Sequence, residues 1–89
     1  MSFGPPFEFD PAKNEANRIK HGIGLDAFRG FDCEPTIVLD ARRDYGEDRY
    51  RAFGNIDETP YMVAFAFRNG RTRLISFRRV HRKDMIADE

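Results

Sequence analysis

Tyr61-Met62-Val63-Ala64-Phe65-Ala66-Phe67-Arg68-Asn69-Gly70-Arg71-Thr72-Arg73-Leu74-Ile75-Ser76-Phe77-Arg78-Arg79 is the stretch that decides the fold. Two runs rich in aromatic and β-branched residues flank Asn69-Gly70. Asn-Gly tolerates the positive φ that a type I′ turn needs at both central positions, and that turn matches the twist of the strands it joins. The stretch therefore predicts an antiparallel hairpin of Tyr61–Arg68 with Arg71–Val80. A two-residue loop pairs Arg68 with Arg71, Phe65 with Leu74 and Val63 with Ser76. Side chains alternate across a strand, so Tyr61, Val63, Phe65, Phe67 and Leu74 share one face, the bed for helices. Ala64 and Ala66 share the other face with Arg71, Arg73, Ile75 and Phe77, and their small side chains leave room for a ligand beside the arginines. In this register Arg73 and Arg78 lie on opposite faces, and only twist or a bulge brings both to one groove.

Working outward, Thr36–Arg42 and Arg49–Asp57 read as two further strands, with polar turns at Asp44–Asp48 and Asp57–Pro60. Phe7-Glu8-Phe9 is a short strand candidate ended by Asp10-Pro11. Asp is a preferred N-cap and Pro a preferred first helical residue, so a helix starts there. Gly22 stops it, after Lys20 and His21 in a last turn where positive charge is favourable. Ala12, Ala16, Ile19 and Ile23 recur at helical spacing as a narrow core stripe, beside a polar stripe of Lys13, Asn17, Lys20 and His21. A second, shorter helix is expected near Leu25–Phe31, with Gly30 inside it, and Asp84–Glu89 reads as a frayed helical tail. The expected fold class is α+β: two N-terminal helices packed on a four-stranded antiparallel sheet, with a short C-terminal helical tail.

Length and composition bound what such a domain can do. Eighty-nine residues make a single domain, 1–89. Fifteen Lys and Arg balance fifteen Asp and Glu, which excludes a globally basic nucleic-acid binder. Twelve Phe and Tyr exclude a disordered tail. The longest apolar run, Met62–Phe67, is too short for a bilayer, and no cleavable signal pattern is present. The lone Cys33 allows no intrachain disulfide and fits a reducing cytoplasm. The overall neutrality hides an asymmetry. Residues 1–67 hold eight basic and twelve acidic side chains, whereas residues 68–89 hold seven and three, and Arg68–Lys83 contains no acid. Six of those seven cations are Arg, whose planar fork suits phosphate.

Several chemistries lack the residues they need. His21 and His81 are far apart, and no Cys/His cluster provides a zinc site. Asp40, Asp44, Glu47 and Asp48 could hold a hard cation, but Arg42, Arg43 and Arg49 interleave with them and read as a solvated turn. No elbow motif or base accompanies Cys33, Ser2 or Ser76, and Cys33 beside Phe31 and Pro35 reads as a small buried hydrophobe. Gly22-Ile23-Gly24 ends a helix rather than opening one after a strand, so it is no phosphate loop. An arginine-rich strand facing a Lys/His helix edge remains. RNA cleavage without a metal asks for cations on the scissile phosphate, and for groups that move protons from the 2′-hydroxyl and to the 5′-oxygen. Arg73, Arg78, Lys20 and His21 could divide those tasks.

Phe9-Asp10-Pro11-Ala12-Lys13-Asn14-Glu15-Ala16-Asn17-Arg18-Ile19-Lys20-His21-Gly22-Ile23 resembles the opening signature of BrnT-type toxins, D-x-x-K-x-x-x-N-x-x-K-H-G. Gly46-Glu47-Asp48-Arg49-Tyr50 resembles that family's G-E-x-R segment, and Arg71–Arg79 its R-I-I-S-x-R-R strand. The resemblance spans about residues 7–83. It implies a fold similar to the RelE toxins, a metal-independent endoribonuclease that inhibits translation without a cofactor, and neutralisation by a BrnA-like ribbon-helix-helix antitoxin. Promoter DNA would be reached only through that antitoxin. Many members of that family continue from the arginine strand into a longer basic helix, often with a late Tyr and Glu, whereas here Val80–Asp84 leads to Met85–Glu89 without a Tyr. His81 is a substitute on chemistry, since imidazole titrates near neutrality.

The candidate site is thus Lys20, His21, Arg73, Arg78 and His81 for catalysis, with Lys13, Asn17, Arg49, Arg71 and Arg79 contacting RNA, and no metal ligand. Each also has a plainer role: Asp10 caps the helix, Lys13 and Asn17 brace its edge, and Glu47 and Arg49 pair in a turn. A non-catalytic nucleic-acid module and a protein-interaction module stay open as alternatives. Salt separates them, because phosphate binding falls steeply with log salt.

Overall fold

The computed structural model describes residues 3–42 and 44–86. Strand β1 (Phe7–Glu8) leads into helix α1 (Pro11–His21), followed by β2 (Thr36–Leu39), β3 (Tyr50–Ile56), β4 (Thr59–Arg68) and β5 (Arg71–Arg79). The strands form one sheet in the order β1-β5-β4-β3-β2. Asp10 accepts a hydrogen bond from the Ala12 N–H (2.9 Å), Pro11 opens the helix, and Gly22 closes it at φ 77° with its N–H on the Arg18 carbonyl. The helix therefore begins and ends where Asp-Pro and Gly dictate.

The expected fold class needs correction. Among the described residues there is one α-helix and a five-stranded mixed sheet, not two helices on a four-stranded antiparallel sheet of RelE type. The fifth strand is β1, which runs parallel to β5 with Phe7 beside Thr72 and Glu8 beside Arg73. The second helix shrinks to a 3-10 turn at Leu25–Ala27. Phe28 is already extended (φ −79°, ψ 123°), and Gly30 sits at φ 118°. Too few residues lie between Gly24 and Gly30 to repay helix nucleation. The segment instead lies across the sheet, burying Leu25 and Phe28 and packing the Phe31 ring against Gly54, where a Cβ would come within 2.7 Å of the ring. Cys33 is exposed rather than buried. Of the expected tail, Arg82–Ile86 form a 3-10 turn and residues 87–89 lie outside those described.

The Asn69-Gly70 turn has positive φ at both positions (54° and 77°), and the pairs Arg68–Arg71 and Phe65–Leu74 form as expected. Beyond Leu74 the register slips. Ala64 pairs with Ser76 and Val63 with Phe77, leaving Ile75 as a bulge. One extra residue turns every later side chain to the other face. Phe77 therefore joins the core with Leu25, Phe28, Val63, Phe65 and Leu74, stacking edge-on against Phe28 at 5.2 Å. Arg78 turns to the face that carries Arg73. The β3–β4 turn is tighter than expected: Ile56 pairs with Thr59 across Asp57 and Glu58.

Helix α1 docks in an unexpected way. Ala12, Ala16 and Ile19 face outward, Ile19 being 77% exposed. Of the expected stripe only Ile23, beyond the helix end, packs on the core, and the residue the helix buries is Asn17. The Asn17 amide donates to the Phe77 carbonyl (2.8 Å) and the Ile23 carbonyl (2.7 Å). Its oxygen accepts from the Phe77 N–H (3.2 Å) and the Ser76 hydroxyl (3.4 Å). β1 covers the outer edge of β5 only at Thr72 and Arg73, and Asn17 takes a strand's place further along it. Asn17→Ala leaves those buried backbone groups unpaired, at about 1–3 kcal/mol each. We expect a net loss of about 2–4 kcal/mol, and a melting temperature lower by at least about 8 °C, since a domain this size shifts roughly 4–8 °C per kcal/mol. A fall under about 3 °C in a thermal melt would refute the anchoring role.

Candidate active site

Two faces of the sheet offer hollows of different character. On the core side, an apolar hollow of about 440 Å³ is bounded by Phe3, Tyr50, Phe65, Phe67 and Ile37, and Glu34 is the one charged side chain lining it. Ile37 and Leu39 of β2 stand exposed beside it (42% and 53%). On the opposite face, a groove of about 250 Å³ runs between the last turn of α1 and the loop after β2. Lys20 and His21 of the helix and Ser76 and Arg78 of β5 form one wall, while Asp40, Arg42, Tyr45, Arg49 and Arg51 form the other. Met62, Ala64 and the bulged Ile75 make the floor. Smaller and almost wholly polar at its walls, this groove is the candidate site.

The helix wall follows from two local features. Gly22 stops α1 so that Lys20 and His21 fall in its final turn, and the bulge at Ile75 turns Arg78 toward them. Burial, then the charges of Lys20 and Arg78, lower the His21 pKa below its ordinary value. The imidazole is consequently neutral at pH 7 and able to accept a proton. A shallower hollow of about 230 Å³ continues the groove, sharing Lys20, His21, Ile75 and Ser76 and adding Lys13 and Asn17. Lys13 is exposed there, whereas the Asn17 amide is already bonded to backbone.

The loop wall is organised by Asp40, which is buried (6% exposed). Arg42 binds it with both Nε and Nη2 at 2.8 Å, and its backbone N–H adds a third bond at 3.2 Å. The Tyr45 hydroxyl donates to the same carboxylate at 3.3 Å. The Arg42 guanidinium holds the Asp40 carboxyl well below the usual carboxylate range, against the opposing effect of burial. Asp40 is therefore a fixed anion at any physiological pH, not part of a solvated turn. Arg49 lies over the Tyr45 ring (4.2 Å to its centroid) and 3.6 Å from Glu47. Arg51 lies over Phe53 at 5.6 Å. The Nε atoms of Arg49 and Arg51 are buried without a hydrogen-bond partner among the described residues.

The structure thus brings Lys20, His21, Arg78 and Arg49 to one groove, with Lys13 and Asn17 beside it. It does not bring the others there. Arg73 is bound to Glu8 at 3.0 Å, and Arg71 lies 3.9 Å from the same carboxylate. Arg79 and His81 are exposed outside the lining, and the His81 backbone N–H is held by Asp84. Sequence reasoning missed Arg42, Arg51 and the anchoring role of Asp40. Alternation along β3 carried a usable signal for Arg51, since it shares a face with Arg49.

Among the described residues, no group of three or more His, Cys, Asp or Glu is arranged to hold a metal ion, and no helix is long and apolar enough to cross a membrane. No curated protein and no solved structure matches the chain. The family model for the ribonuclease toxin BrnT of type II toxin–antitoxin systems matches residues 9–84, from just after β1 to the turn after β5. That span holds every residue of the groove, and the chain belongs to the BrnT family of ribonuclease toxins.

Proposed function

We propose that the groove cuts RNA without a metal ion, using the substrate's own 2′-hydroxyl as nucleophile. The observation that carries this reading is the meeting of Lys20, His21 and Arg78 in one groove, where both cations act on the imidazole and favour its neutral form. His21 takes the 2′-hydroxyl proton as that oxygen bonds to phosphorus. Arg78 and Lys20 stabilise the charge that builds on the phosphoryl oxygens. The bond from phosphorus to the 5′-oxygen breaks, and that oxygen takes a proton from water. The products are a 2′,3′-cyclic phosphate, which water opens to a 3′-phosphate, and a 5′-hydroxyl. Lys13 and Arg49 extend the grip along the strand. Arg73, tied to Glu8, is assigned to fastening β1 on β5 rather than to the chemistry. Arg71, Arg79 and His81 lie on the outer surface, where they attract RNA without touching the reacting atoms. Cleavage of RNA in the cytoplasm would halt translation.

Cleavage should persist in EDTA. Arg78→Ala should lower its rate about 10²–10³-fold, the usual loss for a charge placed at a developing oxyanion. His21→Ala should lower it about 10²–10⁴-fold, as for a lost general base. Arg73→Ala should instead lower the melting temperature. Loss of activity on chelation, or full activity in Arg78→Ala, defeats the mechanism, and RNA binding without cleavage points to a non-catalytic module.

A second test follows from the depressed His21 pKa. Because the base works only when neutral, activity falls as pH drops through the folded-state value. The acid limb of the pH–rate profile should thus inflect below the ordinary imidazole value of about 6.5. Lys20→Gln removes one of the charges that depress it and should move that limb upward. An inflection unmoved by Lys20→Gln would assign the limb to another group.

A type II toxin has a protein antitoxin. We propose that it is BrnA-like, carries a ribbon-helix-helix DNA-binding part, and lays acidic side chains over this groove. A stable complex of this kind buries on the order of 1,600 Å². Co-expression with the product of the neighbouring reading frame should yield a co-purifying complex that dissociates at high salt and restores growth. Failure to co-purify together with failure to rescue growth would overturn the assignment.

A further inference from the structure

The groove is larger and more cationic than one phosphodiester requires. Five permanent cations line it, namely Lys20, Arg42, Arg49, Arg51 and Arg78, against the single carboxylate of Asp40. A dinucleoside phosphate carries one negative charge. The cations also stand in two groups. Arg51, Ala64 and Ser76 are cross-strand neighbours in β3, β4 and β5, and adjacent strands lie roughly 4.8 Å apart. Arg51 therefore rises about 10 Å across the sheet from the wall that holds Ser76 and Arg78, by two such spacings. In the row from Arg51 to Ser76 only the methyl group of Ala64 stands between them, while Met62 pairs with Arg78 in the next row.

We infer that Arg42 and Arg51, steadied by Asp40, form a second phosphate site for a neighbour of the scissile phosphate, so that the toxin selects oligonucleotides over single phosphodiesters. This rests on the RNA-cleavage reading for the identity of the ligand. The wall is built before any ligand arrives. Asp40 fixes Arg42 through two side-chain bonds, and Phe53 supports Arg51. Arg51 has no ion-pair partner among the described residues, so its charge is uncommitted. A planar guanidinium on a pre-ordered stem loses little freedom on meeting a phosphate. Asp40 acts through Arg42 and is a positioning residue.

The test compares 2′-deoxy ligands, which cannot be cut by this route, with their cleavable RNA counterparts. The wild-type protein is given a dinucleotide with one phosphodiester, trinucleotides extended on the 5′ or the 3′ side, and the same trinucleotides with a neutral methylphosphonate in the added position. One extension should tighten binding about 10–100-fold, the range of a charge-assisted hydrogen-bonded contact. The methylphosphonate should lose that gain. The same flank should lower KM for RNA more than it raises kcat, since a remote contact holds ground and transition states alike. In Arg51→Ala and in Asp40→Asn the ratio of trinucleotide to dinucleotide affinity should fall toward one. Equal affinity for all lengths, or an undiminished gain with the methylphosphonate, overturns the second site, and both comparisons use the unaltered protein. A charge-dependent gain in the deoxy series without RNA cleavage upholds the site and refutes the catalytic reading instead.

Discussion

The amide of Asn17 bonded to both backbone groups of Phe77 is the contact on which the rest of the molecule depends. β5 needs a partner on its outer side, and β1 stops after two residues. A buried strand edge with open N–H and C=O groups is costly. One side-chain amide, with a donor and an acceptor at the right separation, closes that edge and ties the helix to it. Its second donor hydrogen serves the Ile23 carbonyl and turns the chain back over the sheet after Gly22. Helix position, strand closure and the path into the core are thus set by one polar side chain.

The bulge at Ile75 makes this contact functional. Without it, an unbroken ladder would turn Phe77 toward the groove and Arg78 toward the aromatic core. With it, Phe77 fills the core beside Phe28, and Arg78 stands beside Lys20 and His21. Asn17 grips the chain at Ser76 and Phe77, immediately after the irregularity. The bulge and the anchor hence act together: one sets the face of Arg78, the other its distance from the helix. The hydrophobic pattern held a clue, because Leu74 and Phe77 are both buried at an odd separation that no regular strand allows on one face.

What was legible in the sequence was local. Asp10-Pro11, Gly22 and Asn69-Gly70 specify their own backbone conformations, so the bounds of α1 and the main hairpin followed from residue chemistry. The Leu25–Phe31 pattern fits a helix or a covering loop equally well until Gly30 is weighed, and tertiary packing settled it. The apolar stripe of α1 misled because that helix is held by hydrogen bonds rather than by burial of Ile19. Lys20, His21 and Arg78 were legible from residue type and motif spacing. Asp40 and Arg42 were not, because the loop after β2 meets β3 only once the strands pair, and the one signal for Arg51 was its alternation with Arg49.

Counting arginines is a poor guide to the groove, since the acids decide which cations remain available. Glu8 holds Arg73 and lies near Arg71, and Glu47 holds Arg68, whereas Asp40 takes only Nε and Nη2 of Arg42 and leaves the rest of that guanidinium in the groove lining. Arg51 and Arg78 have no carboxylate partner among the described residues, and Lys20 stands with them in the same lining. Those side chains sit on two walls with a neutral imidazole near one, while the aromatic core occupies the other face of the same sheet. The near-zero net charge of the chain is therefore compatible with a strongly positive cleft. Local potential follows from which charges are paired and where low-dielectric walls focus the remainder, not from the total.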